Sequence, residues 1–181
     1  AIIVGSPSVN PVVDGKDLYN SAYFLYDKKI QYVAHKALLP TYDIFDEYRY
    51  FEPASSFDIV RFKDKKIALS ICEDIWNLGN ENPLYTVCPL DQVMAKSPDI
   101  IFNLSASPFA YDHAKTRIDI VKANVKKYNA PMFYVNQVGA QTDVIFDGGS
   151  LVVNAKGVVV DECVYWEESV KTYDLEEVNN A

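Results

Sequence analysis

Apolar residues along this chain fall mostly in short runs broken by charged or glycine-containing turns, a pattern of strands more than of long helices. Ala1–Gly5 is a continuous apolar run that reads as a strand already under way at the first residue. Tyr19–Tyr26 and Ile30–Ala34 flank Asp27-Lys28-Lys29 and predict a hairpin. Phe57–Phe62 and Ile67–Ile71 flank Lys63-Asp64-Lys65-Lys66 and predict a second, whose outgoing strand delivers Cys72. Asp99–Leu104 and Pro131–Asn136 read as buried strands. Gly149–Asn154 and Val158–Val164 surround Ala155-Lys156-Gly157 as a third hairpin, and Ser169–Leu175 reads as a last strand.

Helical signals occur twice. Leu84–Lys96 begins behind Pro83, and Ala114, Ile118, Val121, Val125 and Tyr128 recur every three or four residues behind Asp112, whose side chain can cap a helix. Strands outnumber helices, and both helices lie between strands. The expected class is α/β: a mixed sheet covered by helices on one face, with a second sheet packed on the other.

At 181 residues, 49% of them hydrophobic, the chain reads as one globular domain. The net charge of −8, from 25 acidic and 17 basic residues, disfavours nucleic acid and anionic membrane as partners, because both select a basic surface. No apolar run approaches the ~18 residues a membrane helix needs. Three cysteines, Cys72, Cys88 and Cys163, form no C-x-x-C pair, which argues against a disulfide framework or a zinc knuckle. A reduced, cytoplasmic setting is therefore expected.

Two phrases carry chemistry. One runs from His35-Lys36 through Pro40, Tyr42 and Phe45 to Glu47 and Phe51; the other is Ser70-Ile71-Cys72-Glu73-Asp74-Ile75-Trp76. An apolar strand ending in a thiol beside two acids, with a lysine and a further glutamate upstream, is the material for thiol attack on an amide. A free cysteine has a pKa of about 8.5, so the attack needs a base or a positive field. A Cys–His pair through His35 would supply one; a carboxylate with Lys36 would supply the other.

Lys36 with Leu39-Pro40, then Phe45-Asp-Glu47-Tyr-Arg-Tyr-Phe51, then Ile71-Cys72-Glu73-Asp74-Ile75-Trp76, together resemble the nitrilase (carbon–nitrogen hydrolase) superfamily. Asn103-Leu-Ser105-Ala-Ser107-Pro-Phe109, Val135-Asn-Gln137-Val-Gly139 and Phe146-Asp-Gly-Gly149-Ser extend the resemblance, within that superfamily, to the glutaminase domains of glutamine-dependent NAD+ synthetases. The resemblance runs in order from Ala1 to about Leu175. It implies an αββα sandwich and a Glu-Lys-Cys triad. Cys72 matches the nucleophile, Lys36 the triad lysine and Glu47 the glutamate that positions it. Tyr42, Phe45, Glu73, Ser105, Ser107 and His113 fall where glutamine is contacted, His113 standing where relatives often carry Lys or Arg. It further implies ammonia supply for NAD+ synthesis, glutamine and a synthetase domain of the same polypeptide as partners, and a homo-oligomer. The other readings are a free-standing amidase on another small amide and an inactive fragment acting as an assembly module.

The family's general-base glutamate lies upstream of the lysine, yet Asp14, Asp17 and Asp27 are the only acids before Lys36. The expectation is that the segment carrying that glutamate precedes Ala1 and that the chain alone is inactive. No phosphate-binding loop of the G-x-x-x-x-G-K-[ST] kind, G-x-G-x-x-G turn or Ser-Gly-Gly-x-Asp-Ser loop is present. No cofactor is therefore expected for these residues, ATP and Mg being assigned to the absent synthetase domain. With only two histidines, far apart in sequence, no metal site is expected.

Overall fold

The computed structural model describes residues 1–181. The first three strands, β1 (Ile2–Val9), β2 (Leu18–Tyr26) and β3 (Lys29–His35), form an antiparallel sheet in that order. Pro7, which cannot donate to a ladder, sits in β1 at the sheet edge, where its missing N–H costs least. Asp27 and Lys28 both take positive φ (51° and 58°), which makes the predicted β2–β3 hairpin a tight two-residue turn.

A single helical turn, α1 (Glu47–Tyr50), leads to β4 (Val60–Phe62) and β5 (Lys65–Ile71). Then come α2 (Pro89–Met94), β6 (Ile100–Ser105), α3 (His113–Tyr128), β7 (Met132–Asn136), the small hairpin β8 (Val138–Gln141) and β9 (Val144–Asp147), β10 (Leu151–Val153), β11 (Val159–Glu162) and α4 (Leu175–Asn180). The larger sheet has six strands in the order β11-β10-β7-β6-β5-β4, with β5, β6 and β7 parallel. Their near-continuous apolar runs are what a strand buried on both faces requires.

The two faces of that sheet bury different clusters. On one, Ala68, Ile101, Met132, Tyr134, Leu151 and Val153 pack against Leu90 and Val93 of α2 and Val121 and Val125 of α3. On the other, Val60, Ile67, Leu69, Ile71 and Ile100 pack against Ala22 and Phe24 of β2. Helices, sheet and sheet thus stack as the predicted sandwich, and Ile2 and Val4 on the small sheet's far side are exposed. No helix is long and apolar enough to cross a membrane.

Several boundaries differ from the expectation. The helix predicted over Leu84–Lys96 is confined to Pro89–Met94, because Pro89 starts it and Leu84–Cys88 is an irregular approach that begins in a turn. Ser169–Leu175 forms no strand; Asp174 instead caps α4 by accepting the N–H groups of Glu176 and Glu177. Asp112 stands at the start of α3 but makes no side-chain cap bond.

Candidate active site

Cys72 is the first residue after β5, and the chain turns there into a 3-10 segment, Cys72–Ile75. Its φ is +41°, a left-handed conformation that costs a non-glycine residue roughly 1–3 kcal/mol and that clusters at functional sites. Ser105 ends the parallel neighbour β6 and Asn136 ends β7, so three polar side chains converge at the carboxyl ends of adjacent parallel strands. Ligand crevices of open α/β sheets form at that end.

Lys36 comes from the other sheet. It follows β3, its N–H donating to the Asn20 carbonyl at 2.8 Å and its carbonyl accepting the Ala54 N–H at 2.9 Å. Its side chain is buried, and Nζ donates to Glu47 Oε1 at 2.6 Å while Asn20 Nδ2 donates to Glu47 Oε2 at 3.2 Å. Lys36, Glu47, Cys72 and Ser105 line a single cavity of about 410 Å³. The predicted Glu47–Lys36–Cys72 grouping is therefore assembled across the two sheets.

Burial works against charge on Lys36, but the fields of Cys72 and Glu47 and the Glu47 hydrogen bond outweigh it and hold the ammonium above the ordinary lysine range. Cys72 retains some accessible surface, yet enough protein surrounds its sulfur that burial raises its pKa; Lys36 is the strongest opposing influence and the Glu73 carboxylate adds to the rise. The thiol therefore stays protonated near neutral pH, and attack requires a proton acceptor.

A cleft of about 430 Å³ opens on another side of Cys72, lined by Tyr42, Phe45, Glu73, Trp76, Ser107 and His113. Glu73 is buried, and its Oε1 accepts both the Tyr42 and the Tyr85 hydroxyls at 2.8 Å. Burial and then the Glu73 charge raise the pKa of each tyrosine, so both remain donors. The rings of Tyr42 and Phe45 meet edge to face at 5.6 Å. His113 Nδ1 lies 3.1 Å from the Pro108 carbonyl, and its ring is 5.4 Å from that of Trp76. Of the six candidate substrate contacts, only Ser105 lines the Lys36 cavity instead, where its Oγ donates to Asn103 Oδ1 at 2.7 Å. His35 is engaged by Ser21 at 2.8 Å and stacks on Tyr19 at 4.1 Å, so its ring serves the small sheet rather than Cys72.

Sequence reasoning missed several participants. Asp74, Asn103 and Asn136 are buried polar residues inside the recognised phrases, each bonded to main chain beside a candidate residue. Asn136 Oδ1 accepts the Ser107 N–H at 2.9 Å, and its Nδ2 donates to the Gly148 carbonyl at 2.7 Å. Tyr85 lay within a predicted helix, which hid it. Asp143, Val144 and Ile145 of the β8–β9 hairpin wall the cleft; Thr142 takes positive φ at its turn, but no glycine or alternating pattern there marked the turn in the sequence. The hairpin is anchored by Asp147, which bonds Arg117 of α3 through both carboxylate oxygens at 2.7 and 2.5 Å with both residues buried.

Two packed sheets, helices on one side and a cysteine–lysine–glutamate group at the strand ends define a carbon–nitrogen hydrolase. The family model for carbon-nitrogen hydrolases matches residues 1–180, and the chain belongs to that family. Its relatives include the glutamine-dependent NAD(+) synthetase of Synechocystis sp., 38% identical over 184 residues, covering 97% of this chain and 33% of that protein. The synthetase of Thermotoga maritima is 37% identical over 161 residues, covering 89% of this chain and 27% of that protein. Among solved structures, glutamine-dependent NAD+ synthetase from Acinetobacter baumannii in complex with ADP matches with a TM-score of 0.81 at 30% identity, covering 92% of this chain and 30% of that one. A carbon-nitrogen hydrolase from Helicobacter pylori G27, 23% identical, shares the fold with a TM-score of 0.76, covering 92% of this chain and 59% of that one. The chain spans about a third of the length of the curated relatives it matches, or less.

Proposed function

We propose that this chain is the glutamine-hydrolysing domain of a glutamine-dependent NAD+ synthetase, supplying ammonia for amidation of deamido-NAD+. The observation that carries the reading is that Lys36 and Cys72, from elements of separate sheets, line one cavity, while Cys72 also opens on the cleft that presents the buried Glu73 carboxylate. Glu73 is suited to the α-ammonium of an amino acid. Its Oε1 is already fixed by two hydroxyls, which holds the group rigid for that contact. Tyr42, Phe45, Ser107 and His113 are the remaining contacts in this reading.

The chemistry follows from the side chains. The Cys72 thiol gives its proton to a carboxylate base, and the sulfur forms a bond to the side-chain amide carbon while the carbonyl electrons move onto oxygen. The Lys36 ammonium and the Glu73 main-chain N–H stabilise that oxyanion; losing one such donor typically costs 10²–10³-fold in rate, about 3–4 kcal/mol. Collapse breaks the C–N bond, and the departing nitrogen takes the proton from the base to leave as ammonia. Water, deprotonated by the same base, then attacks the thioester and releases glutamate and the thiol. The carboxylates around Cys72 already have duties: Glu47 holds Lys36 and Asn20, Glu73 two tyrosines, and Asp74 three main-chain N–H groups. The base is therefore assigned to a carboxylate other than these three. ATP and magnesium belong, in this reading, to the synthetase portion of a longer polypeptide.

The test is ammonia release by that polypeptide from glutamine, asparagine and short aliphatic amides. Glutamine should be the preferred substrate, and Cys72→Ala should abolish its turnover while leaving NAD+ formation from added ammonia intact. Glutamine turnover surviving in the mutant, or faster release from a simple amide, would overturn the assignment.

A further inference from the structure

We infer that Asp74 is a positioning residue that holds Lys36 against Cys72 by bonding main-chain N–H groups of the loop after β3 and of the end of β5 at once. Lys36 and Cys72 each stand one residue beyond a strand of a different sheet, so nothing in either ladder fixes the distance between their side chains. Asp74 closes that gap. Its Oδ1 accepts the N–H groups of Ala37 at 3.0 Å and Leu38 at 2.9 Å, the two residues that follow Lys36. Its Oδ2 accepts the N–H of Ile71 at 3.2 Å, the residue that precedes Cys72. Asp74 is itself two residues beyond Cys72 and is buried, so one side chain ties the lysine loop to both flanks of the thiol.

The geometry asks for a carboxylate. Three N–H donors require three acceptor lone pairs divided between two oxygens, which an ionised aspartate supplies. Asparagine keeps one oxygen for Ala37 and Leu38 but turns an NH2 donor toward the Ile71 N–H, leaving both unpaired in a buried site. Glutamate keeps the charge but carries the carboxylate one methylene further along, away from those donors. Burial pushes the Asp74 pKa up to about 6, against the three N–H bonds and Lys36, so at neutral pH the group is mainly the acceptor this arrangement needs.

The inference rests on Cys72 and Lys36 acting as a pair, as proposed above, but not on the identity of the amide. The experiment therefore reads the thiol without glutamine. Iodoacetamide alkylation of Cys72, followed by peptide mass spectrometry between pH 6 and 10, reports the thiol's ionisation in the field of Lys36, Glu47 and Glu73. Alkylation of Cys163, half-buried and far along the chain, is the internal control for an intact fold. Asp74→Asn and Asp74→Glu should both move the Cys72 midpoint upward and slow its alkylation at pH 7 by about tenfold, with Cys163 unaffected. A wild-type profile in both variants would overturn the inference. So would a downward shift in Asp74→Asn with none in Asp74→Glu, because losing a negative charge lowers a thiol's pKa and the effect would then be one of charge instead of placement.

If a variant loses its far-UV circular dichroism, hydrogen exchange of the unmodified chain decides. Ala37 and Leu38 amides as protected as those of β5 support the tie, and exchange at the rate of exposed loops overturns it. Shifted profiles in a protein that fails to hydrolyse glutamine would leave the Asp74 inference standing and remove the proposed substrate. Unshifted profiles in one that hydrolyses glutamine would do the reverse.

Discussion

At the residue scale, the site is a set of charges placed where burial would ordinarily forbid them. Lys36 keeps its charge because the Glu47 carboxylate faces and hydrogen-bonds it, a field that a Cys72 thiolate would strengthen, and Cys72 keeps its proton because burial outweighs Lys36. Asp74 yields a pH prediction with a definite sign. Burial raises its folded-state pKa to about 6, against about 3.9 in an unfolded chain, so the folded form binds the proton more tightly. Its contribution should therefore weaken the fold as pH rises from about 4 to about 6 and stay constant above, amounting to about 3 kcal/mol in total. Urea unfolding of the wild type and Asp74→Asn at pH 4.5, 6 and 8 measures this. The wild type should lose stability relative to the variant across the first interval and not across the second, and a constant difference would contradict the assignment.

The phrase containing Cys72 was legible residue by residue, because a thiol and two acids cannot share an ordinary strand end. The functions of those two acids were not. Glu73 and Asp74 are adjacent in sequence and both buried, but one faces the cleft and tyrosines while the other faces main-chain donors 36 and 37 positions away in sequence and one three residues before it. That division depends on how the 3-10 turn rotates successive side chains, which no apolar period encodes.

At the scale of elements, the parallel strands β5, β6 and β7 and the long helix α3 announced themselves by apolar period, and the β2–β3 and β4–β5 hairpins by their charged turns. The β8–β9 hairpin did not. Val138–Gln141 includes Gly139 and exposed positions, so it lacks the alternation of a half-buried strand, and its place is set by tertiary anchoring instead. The anchor is the buried Arg117–Asp147 pair. Removing one partner of such a pair leaves an uncompensated buried charge, and Asp147→Asn should cost about 3–5 kcal/mol. The double replacement Arg117→Met with Asp147→Leu should recover much of that loss, and a double-mutant cycle by chemical denaturation reads the difference. Equal destabilisation in the single and double variants would show that the pair does not hold the hairpin. Gly149 fixes the same corner, since its φ is +66° and an added Cβ would stand 2.3 Å from the Tyr165 ring.

At the scale of the whole molecule, two sheets bring their contributions to one end of the sandwich, which is why Lys36 and Cys72 share a cavity although one follows β3 and the other β5. The acidic balance suits neither a nucleic-acid nor an anionic-membrane binder. The sandwich itself could be anticipated from hairpins interleaved with helices, whereas the pairing of sheet faces followed only from the fold. Because the carboxylates near Cys72 are engaged, the 181-residue chain assayed alone should hydrolyse glutamine at least about 10²-fold more slowly than the longer polypeptide proposed to carry it, the scale of a missing general base. Equal rates would mean that Glu47, Glu73 or Asp74 leaves its partners to act as the base.

A sulfur nucleophile that opens a side-chain amide leaves an intermediate that can be trapped. The longer polypeptide is mixed with glutamine, quenched in acid within its turnover time and digested, and the peptide bearing Cys72 is weighed. The predicted result is a γ-glutamyl thioester on Cys72 and on neither Cys88 nor Cys163, absent from the Cys72→Ala protein. Glutamine hydrolysis that proceeds with Cys72 unmodified at every quench time and undiminished in that mutant would contradict it.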